Sequence, residues 1–202
     1  MHSSLRRLNQ VLPPSAGDLP ESVNWAAVEA TWGSAFPRDF QEFMGIYGRG
    51  TIDNVFTIAT PVDGGHMQGV LRCRELTPNI STECRIDGRE VSYPAWPHNG
   101  GLIGWATTGI GIDLFWSARG DDADLWPLVI RNRRGGSAQE IPGGMAAFLV
   151  EMLGQRKNRP LDIPDIIGFP YSRFIGAREE ARLEAAGVDP WEYLDEYDEV
   201  DD

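Results

Sequence analysis

Histidine and cysteine are the side chains best suited to bind a metal or act as nucleophiles, and this chain has few of them. The sequence contains three histidines and two cysteines. His66, Cys73 and Cys84 lie seven and eleven residues apart, which matches no zinc pattern, and a fourth ligand is missing. The cysteines lack CxxC spacing, and two thiols do not make a disulfide framework. We predict reduced structural thiols, no metal site and no cofactor.

Sequence motifs that carry catalysis are also missing. The chain has no GxSxG nucleophile elbow, P-loop, HExxH zinc motif or EF-hand loop. Gly109-Ile110-Gly111 is not a dinucleotide-binding loop, and glycines there favour a tight turn. We predict that the protein is not an enzyme. An enzyme of unrecognised type would need a polar pocket with a perturbed carboxylate or histidine.

Carboxylates are the remaining candidates for chemistry. Asp113 belongs to a predicted strand, on the face away from the predicted core, and Asp121, Asp122 and Asp124 follow in the next turn. No acid, base or pocket supports a catalytic pair, and aspartate is common in turns because it tolerates turn backbones. The alternative to a simple turn is an acidic rim that meets a partner.

Two tryptophans extend this list of candidate partner-binding residues. Trp96 and Trp191 stand among prolines and acidic residues, whereas we expect most other aromatic side chains in the core. Exposed tryptophans often anchor protein interfaces. The predicted contacts are therefore Asp113, Asp121, Asp122, Asp124, Trp96 and Trp191.

Charge narrows the class of partner. The formal net charge is −12, and eight of the fourteen residues from Asp189 to Asp202 are acidic. Such a chain is a poor partner for nucleic acid or an anionic membrane and a suitable one for a basic protein. Solubility alone is the other explanation of this charge. The sequence has neither an apolar run long enough to span a membrane nor a signal-peptide core, so we expect a cytoplasmic protein.

The elements that must position these residues centre on 100–130. Three segments rich in β-branched and aromatic residues alternate with glycine and aspartate clusters, which predicts an antiparallel meander. Ile112, Leu114 and Trp116 share one parity, so this strand turns an apolar face to the core. Trp126, Leu128 and Ile130 do the same in the next strand, which is predicted to begin at Leu125.

Helices and further strands are predicted around the meander. One helix begins near Ser22 or Asn24 and ends at Gly33, and another begins near Pro37. A strand spans 51–60, and another strand covers 137–141. A helix follows Pro142, and another spans 172–186. Residues 66–99 are compatible with a short helix ended by Pro78 and with a hairpin over 85–92.

These elements predict an α+β fold with a central, mostly antiparallel sheet flanked by helices. Prolines and a glycine near the start predict a flexible arm over 1–20. The domain is expected over 21–154, and 155–202 are expected to form a C-terminal helical extension with an acidic tail.

An ordered series of short motifs resembles the SUKH superfamily, over about residues 22–154. The series is NWAAVEA (24–30), FPRDF (36–40), YGRGTID (47–53), GGLIGW (100–105), DLFW (113–116), WPLVI (126–130) and a closing helix with Phe148-Leu149. The resemblance implies an antiparallel sheet with flanking helices. It supplies no catalytic residue, because the matching positions are structural.

The resemblance also implies a function. Many bacterial SUKH domains look like immunity proteins that bind and neutralise a cognate polymorphic toxin, and a fungal member regulates cell-wall synthesis. We therefore expect a protein-binding domain whose partner is a basic toxin. The alternative is an intracellular scaffold or regulatory interaction module.

Overall fold

The computed structural model describes residues 3–14, 20, 22–62, 71–154 and 172–192. These residues form an α+β fold, as predicted. The helices are Ser3–Val11 (α1), Trp25–Trp32 (α2), Arg38–Ile46 (α3), Cys73–Leu76 (α4), Met145–Gly154 (α5) and Ala177–Ala185 (α6). The strands are Gly50–Ile52 (β1), Phe56–Ile58 (β2), Thr82–Ile86 (β3), Arg89–Tyr93 (β4), Gly101–Thr108 (β5), Ile112–Ala118 (β6), Leu128–Asn132 (β7), Ala138–Ile141 (β8) and Phe174–Gly176 (β9).

A seven-stranded antiparallel sheet organises the domain, in the order β8-β7-β6-β5-β2-β1-β9. The predicted meander is its centre, and the predicted parities are confirmed, since Ile112, Leu114 and Trp116 all lie in the main core. Helices α1, α3 and α5 pack together on this core face. The sheet therefore buries its most aromatic strands beneath helices.

The two predicted N-terminal helices are confirmed together with their end signals. The Asn24 side chain accepts the Ala27 N–H at 3.1 Å at the start of α2. Gly33 ends that helix with a φ of 73°. In α3, Phe40, Phe43 and Met44 form a buried face. This face meets the sheet through Phe40, whose ring centroid lies 4.9 Å from that of Trp116.

The predicted strand over 51–60 is wrong in one respect, because the segment folds back as the β1–β2 hairpin. Asp53 and Asn54 form its turn with φ values of 49° and 52°. Aspartate and asparagine tolerate this left-handed backbone better than most residues, so the pair turns the chain.

The predicted arm over 1–20 is wrong for 3–11, which form α1. Leu5, Leu8 and Leu12 are fully buried in the main core. Their spacing gives the helix an apolar stripe, which packs against α5. The Tyr47 hydroxyl also donates to the Leu12 carbonyl at 2.7 Å. Residues 15–19 lie outside the described residues.

The domain boundary predicted at 154 is also wrong. Phe174–Gly176, expected within a helix, forms edge strand β9 and pairs with β1. The Phe174 ring packs 5.3 Å from the Tyr47 ring, so this short strand belongs to the main core. The helix predicted over 172–186 is therefore confirmed only for α6. The acidic tail beyond Glu192 lies outside the described residues.

A small second layer covers the other face of the sheet. The predicted hairpin is confirmed as β3–β4, with Asp87 and Gly88 at its turn. Cys84 and Tyr93 pack against Phe115 and the neighbouring strands in a separate apolar cluster. The short helix predicted before Pro78 is confirmed only as α4, and 63–70 lie outside the described residues.

Candidate functional site

The most exposed apolar side chain that the structure describes lies in the loop between β6 and β7. Leu125 is 76% exposed in this segment, residues 120–126, which we call the acidic loop. The Asp122 carboxylate accepts the Asp124 N–H at 3.1 Å and so starts a 3-10 turn over Ala123–Leu125. The turn buries Ala123 and directs Leu125 outward, and Asp121 and Asp122 are exposed beside it.

Hydrogen bonds hold the acidic loop in one conformation. The indole N–H of Trp126 donates to the Gly120 carbonyl at 3.2 Å and closes the loop. The Gly120 N–H donates to the Asn99 side chain at 2.8 Å. Trp96 supports the same place, because its ring lies 6.4 Å from the Trp126 ring. Trp96 is thus a half-buried support of the loop.

Asp124 connects the acidic loop to helix α3. Its carboxylate accepts the backbone N–H of Arg38 at 2.7 Å and also pairs with the Arg38 guanidinium. The first contact satisfies an N–H at the start of α3, as a capping side chain would. The hydrogen bond and charge of Asp124 raise the pKa of Arg38. Asp124 therefore positions the loop, and Asp121 and Asp122 are its solvent-exposed carboxylates.

Asp113 lies apart from the acidic loop, near the opposite end of β6. The face opposite the core was predicted correctly, but the second layer covers much of that face and Asp113 is only 7% exposed. Its carboxylate accepts the Thr107 hydroxyl at 2.8 Å and lies 3.5 Å from Arg133 Nε. The prediction that Asp113 belongs to an exposed acidic rim needs this correction.

Trp191 was expected to be more exposed than most of the aromatic residues, and the structure shows it buried. Its indole N–H donates to the Glu180 carboxylate at 3.0 Å, so it holds the chain against α6. The Asp189 carboxylate accepts the Trp191 backbone N–H at 2.8 Å, the local turn that an aspartate before proline favours. Helix α6 packs on β1 and β9, away from the acidic loop.

Leu125 is the residue that sequence reasoning missed. A strand was predicted from Leu125 onward, which would have made this leucine part of the meander. The available signal was Asp122. An aspartate side chain can accept a hydrogen bond from the backbone N–H two residues later, here that of Asp124, and this contact favours a local turn over a strand. The strand begins instead at Leu128.

The described residues include no group of three or more His, Cys, Asp or Glu side chains arranged to hold a metal ion. Cys73 and Cys84 are buried in different apolar clusters and form no disulfide. Burial raises the pKa of Cys84, which favours the neutral thiol. His66 lies outside the described ranges.

Comparisons of this chain with family models, curated proteins and solved structures gave no match. No helix in the described ranges has both the length and the apolar character that crossing a bilayer requires. The geometry of the acidic loop is therefore the main basis for assigning a function.

Proposed function

We propose that this protein is a non-catalytic binding domain that neutralises a basic protein toxin by stoichiometric association. The observation that carries the proposal is Leu125, exposed to 76% on a loop held by hydrogen bonds and flanked by Asp121 and Asp122. The motif series that resembles SUKH immunity domains supports the choice of a toxin as partner.

The acidic loop has the chemistry of an interface anchor. An apolar side chain that inserts into a partner's pocket contributes most of its energy when the contacts around it exclude water. Because the loop is already ordered, binding costs little conformational entropy. The surrounding carboxylates, in a chain of formal charge −12, accelerate encounter with a basic surface. Occlusion of the toxin's active site then needs complementarity and no chemistry.

We place this complex in the cytoplasm. Two buried cysteines without a disulfide suit a reducing compartment. There the protein would meet its toxin before the toxin reached its target. A scaffold bound to an endogenous protein is the alternative, and the experiment below distinguishes the two.

The test is co-expression with the product of the adjacent open reading frame. We expect that product to stop growth and this protein to restore growth. Affinity purification through a tag on this chain should recover the product in a 1:1 complex. A chain ending at Glu192 keeps the buried Trp191 and removes the rest of the acidic tail, so its continued activity would assign protection to the folded domain. Absence of both protection and binding would refute the proposal, and an endogenous partner would favour the scaffold.

A further inference from the structure

Among the described residues, strand β8 forms an outer edge of the seven-stranded sheet that is covered only near its start. This strand is the last in the sheet order, and β7 is its only neighbour within the described sheet. Asn132 exchanges hydrogen bonds with Gly136 and Ser137, so the ladder alternation directs the backbone groups of Glu140 away from β7. A strand edge with outward N–H and C=O groups is a template for another extended chain.

The β3–β4 hairpin begins to cover this edge and then leaves it. The Arg85 N–H donates to the Gly136 carbonyl at 2.8 Å, and Arg85 forms an isolated parallel bridge with Ser137. The hairpin then turns at Asp87 and Gly88. In the part of the chain that the structure describes, no strand pairs with the edge of β8 beyond Ala138.

Two grooves lie between the hairpin and β8. One, of about 410 Å³, lies between the hairpin turn and the start of β8. The other, of about 530 Å³, is lined by Ile86, Asp87, Arg89, Val91, Arg119 and Glu140. Both volumes fall in the range of about 300–1,000 Å³ that is usual for binding sites. We call the two together the edge groove.

The edge groove has an apolar wall and a rim rich in arginine. Ile86 and Val91 pack against the small apolar cluster and are only partly covered. The Arg119 guanidinium makes two hydrogen bonds to Glu140, at 2.8 and 3.1 Å, so it neutralises that carboxylate. Arg85 lies opposite Glu90 in the hairpin register, whereas Arg89 forms no ion pair among the described residues. In a chain of formal charge −12, this rim favours an acidic ligand.

We propose that the edge groove binds an extended, acidic segment of a partner protein, which adds to the sheet as a strand beside β8. The backbone of the segment pairs with Glu140, alternate apolar side chains contact Ile86 and Val91, and a carboxylate meets Arg89. The inference does not depend on the toxin proposal, because it concerns a different surface and an acidic ligand.

Synthetic peptides test this site on the full-length chain. We expect a seven-residue peptide alternating valine and glutamate to bind with a Kd below about 1 mM and to shift the amide NMR signals of Ala138 and Glu140. Methylating its backbone nitrogens should weaken binding by about tenfold or more, because the strand hydrogen bonds are lost. A valine–lysine peptide should bind more weakly than the valine–glutamate peptide.

Arg89→Glu supplies the charge test. It should weaken binding of the glutamate peptide about fivefold and reverse the preference between the two peptides. Arg134→Glu makes the same change on an exposed turn outside the groove and should leave the preference unchanged. Failure of both peptides to bind, undiminished binding of the methylated peptide, or signals that shift at the acidic loop but not at Ala138 and Glu140 would each overturn the proposal. Self-association through β8 would also overturn it and assign the edge to a second copy of this chain.

Discussion

The acidic loop and the edge groove meet at Arg119, yet they present opposite features to a partner. The acidic loop is exposed, carries Leu125 between carboxylates, and has its own backbone held by hydrogen bonds. The edge groove is concave, has arginines on its rim and leaves a strand edge open. The contrast shows that net charge describes the chain as a whole but not the charge of each surface.

The largest expected effect is a loss of toxin affinity when the exposed apolar side chain of the acidic loop is replaced. Leu125→Asp should cost at least about 2 kcal/mol of toxin-binding free energy, about thirtyfold in Kd, because an anchor at the centre of an interface is lost. Calorimetric titration of the purified toxin measures this. Ile80→Asp alters a residue that is 72% exposed elsewhere and serves as the control. Equal loss in both variants would remove the distinction that we draw for the loop.

Alkaline pH should lower the stability of the protein through Tyr93, whose hydroxyl contacts Glu140 beside the edge groove. Burial raises the pKa of Tyr93, whose hydroxyl donates to Glu140 at 3.1 Å. The unfolded chain loses this proton at a pH near 10 while the folded chain keeps it, so the stability from neutral Tyr93 is complete below pH 10 and falls above it. Its contribution to the slope is up to about 1.4 kcal/mol per pH unit.

Urea unfolding between pH 9 and 11.5 measures that slope, and Tyr93→Phe should reduce it. Tyr47→Phe is the matched variant on the core face, because burial also raises the pKa of Tyr47. The two variants should flatten the profile separately. A wild-type profile that Tyr93→Phe leaves unchanged would show that this hydroxyl titrates as in the unfolded chain.

Removing the hydrogen bond between the acidic loop and α3 should lower the free energy of unfolding by a smaller amount. Asp124→Ala removes the acceptor for the Arg38 N–H and should reduce the free energy of unfolding by about 1 kcal/mol. Asp124→Asn keeps an acceptor oxygen and should retain most of that stability. Chemical denaturation compares them. If asparagine is as damaging as alanine, the cap does not hold the loop.

The smallest effect should be kinetic. Asp121→Lys reverses an exposed charge that makes no structural contact in our account, so it should slow association with a basic toxin several-fold at low salt and change dissociation little. Stopped-flow association at two salt concentrations measures this. Glu90→Lys makes the same change on the hairpin and should have less effect. A salt-independent difference would argue against electrostatic steering.

Local sequence patterns predicted the centre of this fold well. The alternation of Ile112, Leu114 and Trp116 and the helix cap predicted at Ser22 or Asn24 depend on neighbours in the chain. The structure has this alternation and places the cap at Asn24. Strand β9 was missed because its three residues become a strand only by pairing with β1, which is far away in sequence. Proline and glycine nearby concealed the leucine stripe of α1.

The candidate site divides in the same way. The acidic residues of the loop were visible in the sequence, but which of them face solvent depends on long-range contacts such as that between Asp124 and Arg38. Trp191 and Asp113 looked available from their neighbours, but Trp191 packs against α6 and the second layer covers much of the face that carries Asp113. The edge groove has no sequence signature, because it exists only where the β3–β4 hairpin diverges from β8.

Hydrogen exchange of this protein, alone and in complex with the toxin that we propose as its partner, locates the interface between them. We predict slower exchange over residues 120–126 and at Asn99 in the complex, since these form and support the proposed interface. Protection should be lost in the Leu125→Asp variant at concentrations that saturate the wild type. Unchanged exchange in the acidic loop of a saturated complex would contradict the account and place the toxin on another surface.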